Sequence, residues 1–429
     1  MENAYKCLIY FWLLPILAYS QPLQPYTVPE YAPTQAVLIE WDFNDYTWSL
    51  YSDLIAECRE ATEVICVVRN LEEENEMKQR LEEDGVLLSN ISFVQVPCER
   101  MWIRDHGPFA VQTEGGVAYL DFNDKADSGL DENLPTNLAK AWGLMAYERP
   151  WIFDGGNLLV DSYGTLFCTD ALYTNNPAIS PTQIEGDLAL FMGIQKVVPL
   201  RRQHNDYWAH IDMQIKLLDD TTFVISSVTP FHPGFDSLEL NFATLDTLTG
   251  PHGKPYRIER LPNADDWKTY ANALMLNNRV IVPIYGHAND SLALQIYQDL
   301  LPNHTVRGVN CDKIIAWEGA LHCITMQLFD SSQVTALKEI TQPFEPLNIF
   351  PNPTKSQAEA YLQLVSHNYQ KQRLLIYNQA GQLQSQKTVY LVPGENWITL
   401  PESLPAGHYA VVLQGEKGVK KIGTWVIIH

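Results

Sequence analysis

Val280-Ile281-Val282-Pro283, the helical pattern from Asp290 to Leu300, and Thr305-Val306-Arg307-Gly308-Val309 together decide the fold of this chain. Branched side chains favour the pleated surface of a sheet, so a β-rich run, a helix and a second β-rich run read as a β-α-β unit. The order recurs toward the N-terminus. Ala36-Val37-Leu38-Ile39 precedes a polar amphipathic stretch near Tyr51 to Arg59, and Val64-Ile65-Cys66-Val67-Val68 follows it. A Glu-rich helix then runs from Glu72 to Glu83, with Met77 and Leu81 four apart on one face. Leu158-Leu159-Val160, a helix from about Thr182 to Met192, and Lys196-Val197-Val198-Pro199-Leu200 repeat the pattern again. Recurring units between Tyr31 and Phe329 define an α/β fold.

After Asp330 the texture changes. Thr341-Gln342-Pro343-Phe344-Glu345-Pro346 reads as a linker, and helical periods become scarce beyond it. Strand-like runs take over: Leu374 to Tyr377, Thr388 to Val392, Trp397 to Leu400, His408 to Leu413 and Thr424 to Ile428. Short strands at regular spacing predict a small all-β sandwich of the immunoglobulin-like kind. At the other end, Lys6 precedes an apolar run from Cys7 to Leu17, and Ala18-Tyr19-Ser20 stands before Gln21. That is the pattern of a cleaved secretory signal over residues 1–20, since the run is too short for a membrane span. The expected organisation is a signal at 1–20, a catalytic domain at 21–335, a linker at 336–346 and a C-terminal domain at 347–429.

The 429 residues carry 29 Lys and Arg against 51 Asp and Glu, a formal net charge of −22. Such a balance argues against a nucleic-acid partner and is compatible with a cationic substrate. No later stretch is long and apolar enough to predict stable transmembrane insertion. Six cysteines follow Cys7, namely Cys58, Cys66, Cys98, Cys168, Cys311 and Cys323, and none forms a C-x-x-C pair of the kind that binds zinc or cycles disulfides. Secretion permits disulfides without requiring them, and the pairing stays open.

Four segments carry chemistry: Trp102-Ile103-Arg104-Asp105-His106-Gly107-Pro108, Phe153-Asp154-Gly155-Gly156-Asn157, His210-Ile211-Asp212 and Gly319-Ala320-Leu321-His322-Cys323-Ile324-Thr325. A guanidinium is planar, permanently charged and delocalised, so hydrolysing it needs paired carboxylates to hold it, a thiolate to attack and a histidine to move protons. Alternation along a strand would put His210 and Asp212 on one face. No metal and no cofactor is needed for this chemistry.

In type and order these segments resemble the family of Porphyromonas-type peptidylarginine deiminases and agmatine deiminases, over roughly Tyr31 to Leu328. The resemblance implies a five-bladed α/β propeller, the pentein fold, with ββαβ units around a central channel. It also implies Cys323 as nucleophile, His210 as general acid and base, and Asp105 and Asp212 as the guanidinium-binding carboxylates. Asp154, Trp102, Asn157 and Asn272 are the further substrate-binding candidates, with Arg104 assigned to structural pairing. The tail, through Asn348-Ile349-Phe350-Pro351-Asn352-Pro353, Ile376 to Gly381 and Leu404 to Tyr409, resembles the C-terminal sorting domain of type IX secretion. That resemblance implies the secretion machinery as a partner and a secreted or cell-surface location.

The substrate stays open between an arginine-containing peptide and a small guanidino compound such as agmatine. The peptidylarginine branch reads a C-terminal carboxylate with an Arg pair, whereas Asp121 to Ser128 holds no Arg and three Asp. Asp124 or Asp127 would suit a distal amine instead. An amidinotransferase, or a surface protein that binds without turnover, are the alternatives.

Overall fold

The computed structural model describes residues 25–329 and 348–428, apart from residues 114–115, 127–128, 205, 251–252, 265–266, 356–357, 359, 367–369, 379–380, 393, 402–403 and 416–417. The expected signal (1–20), the linker and Asp127 lie outside the described residues.

Five small mixed sheets make up the part between Tyr26 and Phe329. The unit read from Val280 onward is one of them. Leu274–Leu276 pairs antiparallel with Arg279–Ile284, the helix Asp290–Leu300 crosses over, and Thr305–Asn310 returns parallel to Arg279–Ile284. The same hairpin, helix and parallel strand occur around the helices Leu134–Trp142, Pro181–Met192 and Phe235–Thr247. Sequence alone reads only the β-α-β portion; in one hairpin the leading strand, Leu159–Val160, has just two residues. In the fifth sheet the antiparallel partner comes from the far end of the chain. Thr325–Phe329 pairs with Thr34–Glu40, which lies parallel to Glu63–Val68 and so closes the set.

Local signals account for the helix boundaries. Asn70 accepts hydrogen bonds from Glu72 N (2.9 Å) and Glu73 N (3.1 Å), capping the helix Leu71–Glu83, and Met77 and Leu81 are buried as their spacing predicts. Ser180 and Gln183 form a reciprocal capping box ahead of Pro181–Met192. That helix is buried on nearly all sides, from Ile184 through Met192.

The reason is the tail, which forms a three-stranded and a five-stranded sheet with a shared core including Leu362, Leu374, Val411 and Trp425. The opposite face of its larger sheet turns Leu375, Tyr377, Ala410 and Val412 into one apolar cluster with Ile184 and Leu188. Arg373 Nη1 donates to Thr182 Oγ1 at 2.8 Å, and Gln414 Nε2 to Glu185 Oε2 at 3.1 Å. Beneath this seam lies the buried ion pair of Arg149 and Asp187, with Trp151 Nε1 donating to Asp187 at 2.8 Å. Gly381, at φ +70°, lies so close to it that a Cβ there would meet Arg149 Nη2 at 2.0 Å. All six described cysteines are free and buried. No helix among the described residues is long and apolar enough to cross a membrane.

Candidate active site

Each connection from one sheet to the next contributes to a single site. Asp105 sits in the four-residue helix Ile103–His106, between Ile91–Gln95 and Phe109–Thr113. Asp154 precedes the single 3₁₀ turn Gly155–Asn157, and His210 precedes a like turn, Ile211–Met213, that contains Asp212. Asn272 lies between Arg257–Arg260 and Leu274–Leu276, and Cys323 between Thr305–Asn310 and Thr325–Phe329. The expected strand placement of His210 and Asp212 is therefore corrected: His210 leads into a tight turn and Asp212 lies within it. The preceding Ala209 adopts φ +62° with its N–H on Asp206 Oδ1 (2.8 Å), which bends the chain inward there.

His210 is held between two carboxylates. Its Nε2 is 3.1 Å from Asp154 Oδ2, and its Nδ1 is 3.4 Å from Asp105 Oδ1. Burial works against a charged ring, but Asp105 and Asp154 outweigh it and raise the imidazolium pKa to about 10. Burial raises Asp105 to about 6, with His210 pulling downward and Asp154 and Asp212 adding to the rise. At Asp212 burial also pushes upward, yet the hydrogen bond and charge of His322 win and hold the carboxyl below its usual range. The adjacent glycines have a steric reason. A Cβ on Gly155 would lie 2.0 Å from Arg104 O, and one on Gly156 would lie 2.5 Å from His210 Nδ1 and 2.9 Å from Asp105 Oδ1.

Cys323 Sγ lies 3.3 Å from Asn272 Nδ2 and 3.8 Å from Asp212 Oδ2. Asn272 Oδ1 also accepts the His322 N–H at 3.0 Å, so this amide orients the thiol and its loop together. Burial first, then Asp212 and Asp105, push the Cys323 thiol well above its ordinary value. The resting pair is thus a neutral thiol and a protonated His210. A cation bound between the carboxylates removes two of the three causes that keep the thiol protonated.

The cleft above Cys323 is lined by Trp102, Asp105, Asp154, Trp208, His210, Trp317 and Glu318, among others. A Cβ on Gly319 would come within 2.3 Å of the Trp102 ring, so Gly319 lets the indole lie flat against the nucleophile loop. Asn157 does not join this wall: its Oδ1 accepts the Thr169 N–H at 2.7 Å, which makes it a buried brace between a turn and a strand. That corrects its expected substrate contact. Asp124 lines the same cleft, where Arg100 Nη2 engages it at 2.7 Å. Arg104 pairs with Glu30 at 3.2 Å in the interior, as its structural assignment requires.

Donor atoms of Glu40, His106 and Asp131 also converge in the interior. They are engaged within the protein: Glu99 N and Arg100 Nε take the two Asp131 oxygens, and Glu40 faces His106 Nε2 at 3.3 Å.

Residues 26–328 match the family model for Porphyromonas-type peptidyl-arginine deiminase. The chain belongs to that family. Within this deiminase family the solved structures it is similar to include a "Putative Arginine Deiminase" from Porphyromonas gingivalis, 27% identical, TM-score 0.64, covering 72% of this chain and 99% of that one. An agmatine deiminase of Enterococcus faecalis shares the fold at TM-score 0.64 and 20% identity, over 72% and 96% of the two chains. A curated relative from Streptomyces coelicolor, a "Putative agmatine deiminase", is 26% identical over 70% of this chain and 97% of its own.

Sequence reasoning missed Trp208, Trp317 and Glu318, although each stands next to or near a recognised motif residue. It also missed Glu30, for which no local signal exists.

Proposed function

We propose that this protein hydrolyses a guanidino group to a ureido group and ammonia. The supporting observation is the convergence of Cys323, His210, Asp105, Asp154 and Asp212 from separate connections onto one cleft floor. Asp105 and Asp212 accept the substrate N–H groups, fixing its plane and drawing positive charge toward the central carbon. Substrate binding expels the Cys323 thiol proton to solvent, the thiolate attacks that carbon, and His210 delivers the proton with which ammonia departs, leaving a thiouronium on sulfur. His210, now neutral, takes a proton from water, whose oxygen displaces the sulfur and becomes the ureido carbonyl. Water is consumed and ammonium released for each turnover.

Within this reading a small guanidino compound with a distal cation fits better than a C-terminal arginine. Arg100 and Lys268, the Arg and Lys side chains that line the cleft and its neighbouring hollow among the described residues, are already paired, with Asp124 and Asp131 and with Asp312 respectively. A substrate carboxylate would have to break one of those pairs. Glu318 instead stands exposed at the rim of both, at φ +66° and without an ion pair among the described residues. A non-glycine residue held in that region carries strain, and such positions cluster at ligand-binding sites. Trp102, Trp208 and Trp317 add the aromatic faces that an aliphatic stem and an ammonium group prefer.

In the same proposal the five sheets are blades of a pentein propeller around the site, and residues 21–335 are the catalytic domain. Residues 1–20 are a secretory signal, 336–346 a linker and 347–429 an immunoglobulin-like type IX sorting domain, which together direct the protein to the cell surface or beyond. Ammonia and ureido product are to be measured with agmatine, free arginine, and peptides with internal or C-terminal arginine. Agmatine turnover that falls at least about a thousandfold in Cys323→Ala is expected. Glu318→Gln is expected to raise KM for agmatine and to leave the arginine peptides unaffected. No Cys323-dependent product from any of these substrates would end the deiminase reading.

A further inference from the structure

His322, next to the nucleophile, is 1% exposed, and its two ring nitrogens face two different carboxylates. Nδ1 is 2.6 Å from Asp212 Oδ2, and Nε2 is in hydrogen-bond contact with Glu30 Oε1. Only a ring with both nitrogens protonated donates to both. Glu30 is itself held from two further sides, by Lys216 Nζ on Oε2 and by Arg104 Nη1 at 3.2 Å. Arg104 is fixed in turn by Gln327 Oε1 at 2.6 Å and by the His322 carbonyl at 3.2 Å. His322, Arg104 and Lys216 thus share one interior volume with Glu30 and Asp212, and this cluster stands behind Asp212.

The arrangement divides the two oxygens of Asp212. Oδ2 is taken by His322 and lies 3.8 Å from Cys323 Sγ, whereas Oδ1 is buried with no hydrogen-bond partner among the described residues. A buried carboxylate oxygen without a donor is costly, and a guanidinium N–H would satisfy it. We propose that His322, anchored by Glu30, is a positioning residue that holds Asp212 ionised and turned so that Oδ1 is kept for the substrate cation. Glu30 belongs to the segment ahead of the first long strand, Thr34–Glu40, so the N-terminal edge of the fold locks a loop near its far end. The inference rests on reading Asp212 as a guanidinium-binding carboxylate.

The test uses alkylation of Cys323 in the full chain, which needs no turnover. The amidinium reagent 2-chloroacetamidine and its neutral counterpart 2-chloroacetamide each lose chloride to the thiolate, and their rate ratio reports cation binding beside the sulfur. The wild-type protein is expected to prefer the amidinium, and His322→Gln to lose at least about tenfold of that preference. A His322→Gln protein with the wild-type ratio would overturn the proposal. Should His322→Gln fail to fold, Glu30→Gln combined with Lys216→Met replaces the charged anchor with a neutral amide without changing the net buried charge. That variant is expected to lose preference in the same direction, and an unchanged ratio would overturn the proposal equally. A wild-type protein with no preference would sink the carboxylate reading of the site itself, a failure distinct from that of the relay.

Discussion

Among single residues, the upward shifts of Asp105 and His210 set a working window. In the proposed mechanism Asp105 must be ionised to bind a cation, so its rise to about 6 makes kcat/KM climb as pH increases through that value, and the raised Cys323 thiol prolongs the climb on the alkaline side. His210 must be protonated to release ammonia, so its rise to about 10 makes the rate fall only as pH passes through that value. A bell-shaped profile with a broad alkaline shoulder is expected, and initial rates from pH 5 to 11 check it. Asp154→Asn removes one of the two carboxylates that lift His210, so the alkaline limb should move to lower pH while the acid limb follows with a smaller downward shift. An alkaline limb unmoved by that change would mean that another group limits the rate. The same linkage affects stability: the favourable contribution of His210 is complete below its ordinary value of 6.5 and lost as pH rises through about 10.

At the scale of elements, the site is built from turns rather than from the strands and long helices that the sequence displays most clearly. Short turns place side chains well only if their backbones can approach closely, which is why Gly155 and Gly156 sit against Arg104 O and His210. Gly156→Ala is expected to lower kcat/KM by roughly a hundredfold, because a Cβ 2.5 Å from His210 Nδ1 displaces the ring from Asp105. Circular dichroism should show the fold retained. Wild-type kinetics in that variant would show that His210 has slack the packing does not suggest. His210-Ile211-Asp212 is legible in the sequence as a pair of candidate site residues, but its spacing of two is shared by a strand and by an extended residue leading into a 3₁₀ turn. Spacing alone does not separate the two; the φ of +62° at Ala209 does.

At the scale of the whole molecule, the tail completes the core of the domain it follows. Helix Pro181–Met192 is buried on nearly every side because Tyr377 and Leu375 cover the face that the sheet leaves open. A Cβ on Gly186 would meet Tyr377 Oη at 1.9 Å. Gly186→Ala is therefore expected to dislodge the tail, lowering Tm by several degrees and exposing it to limited proteolysis, with catalytic rates near wild type because the cleft is built elsewhere. Unchanged protease resistance would show that the seam does not hold the two parts together.

The sequence by itself determined the α/β class, the all-β character of the tail and the four motif segments, because hydrophobic period and chemically demanding residue types are local properties. The parallel strands on either side of Asp290–Leu300 and Pro181–Met192 follow from that local pattern alone. Only the tertiary structure decided which residues meet. Asn157 turned out to brace a strand, Asn272 to hold the thiol, and Glu30 to reach His322 across 292 positions of chain. A residue's partner depends on where sheet-to-sheet connections converge, and that convergence is a property of the closed set of sheets, written in no window of sequence short enough to read.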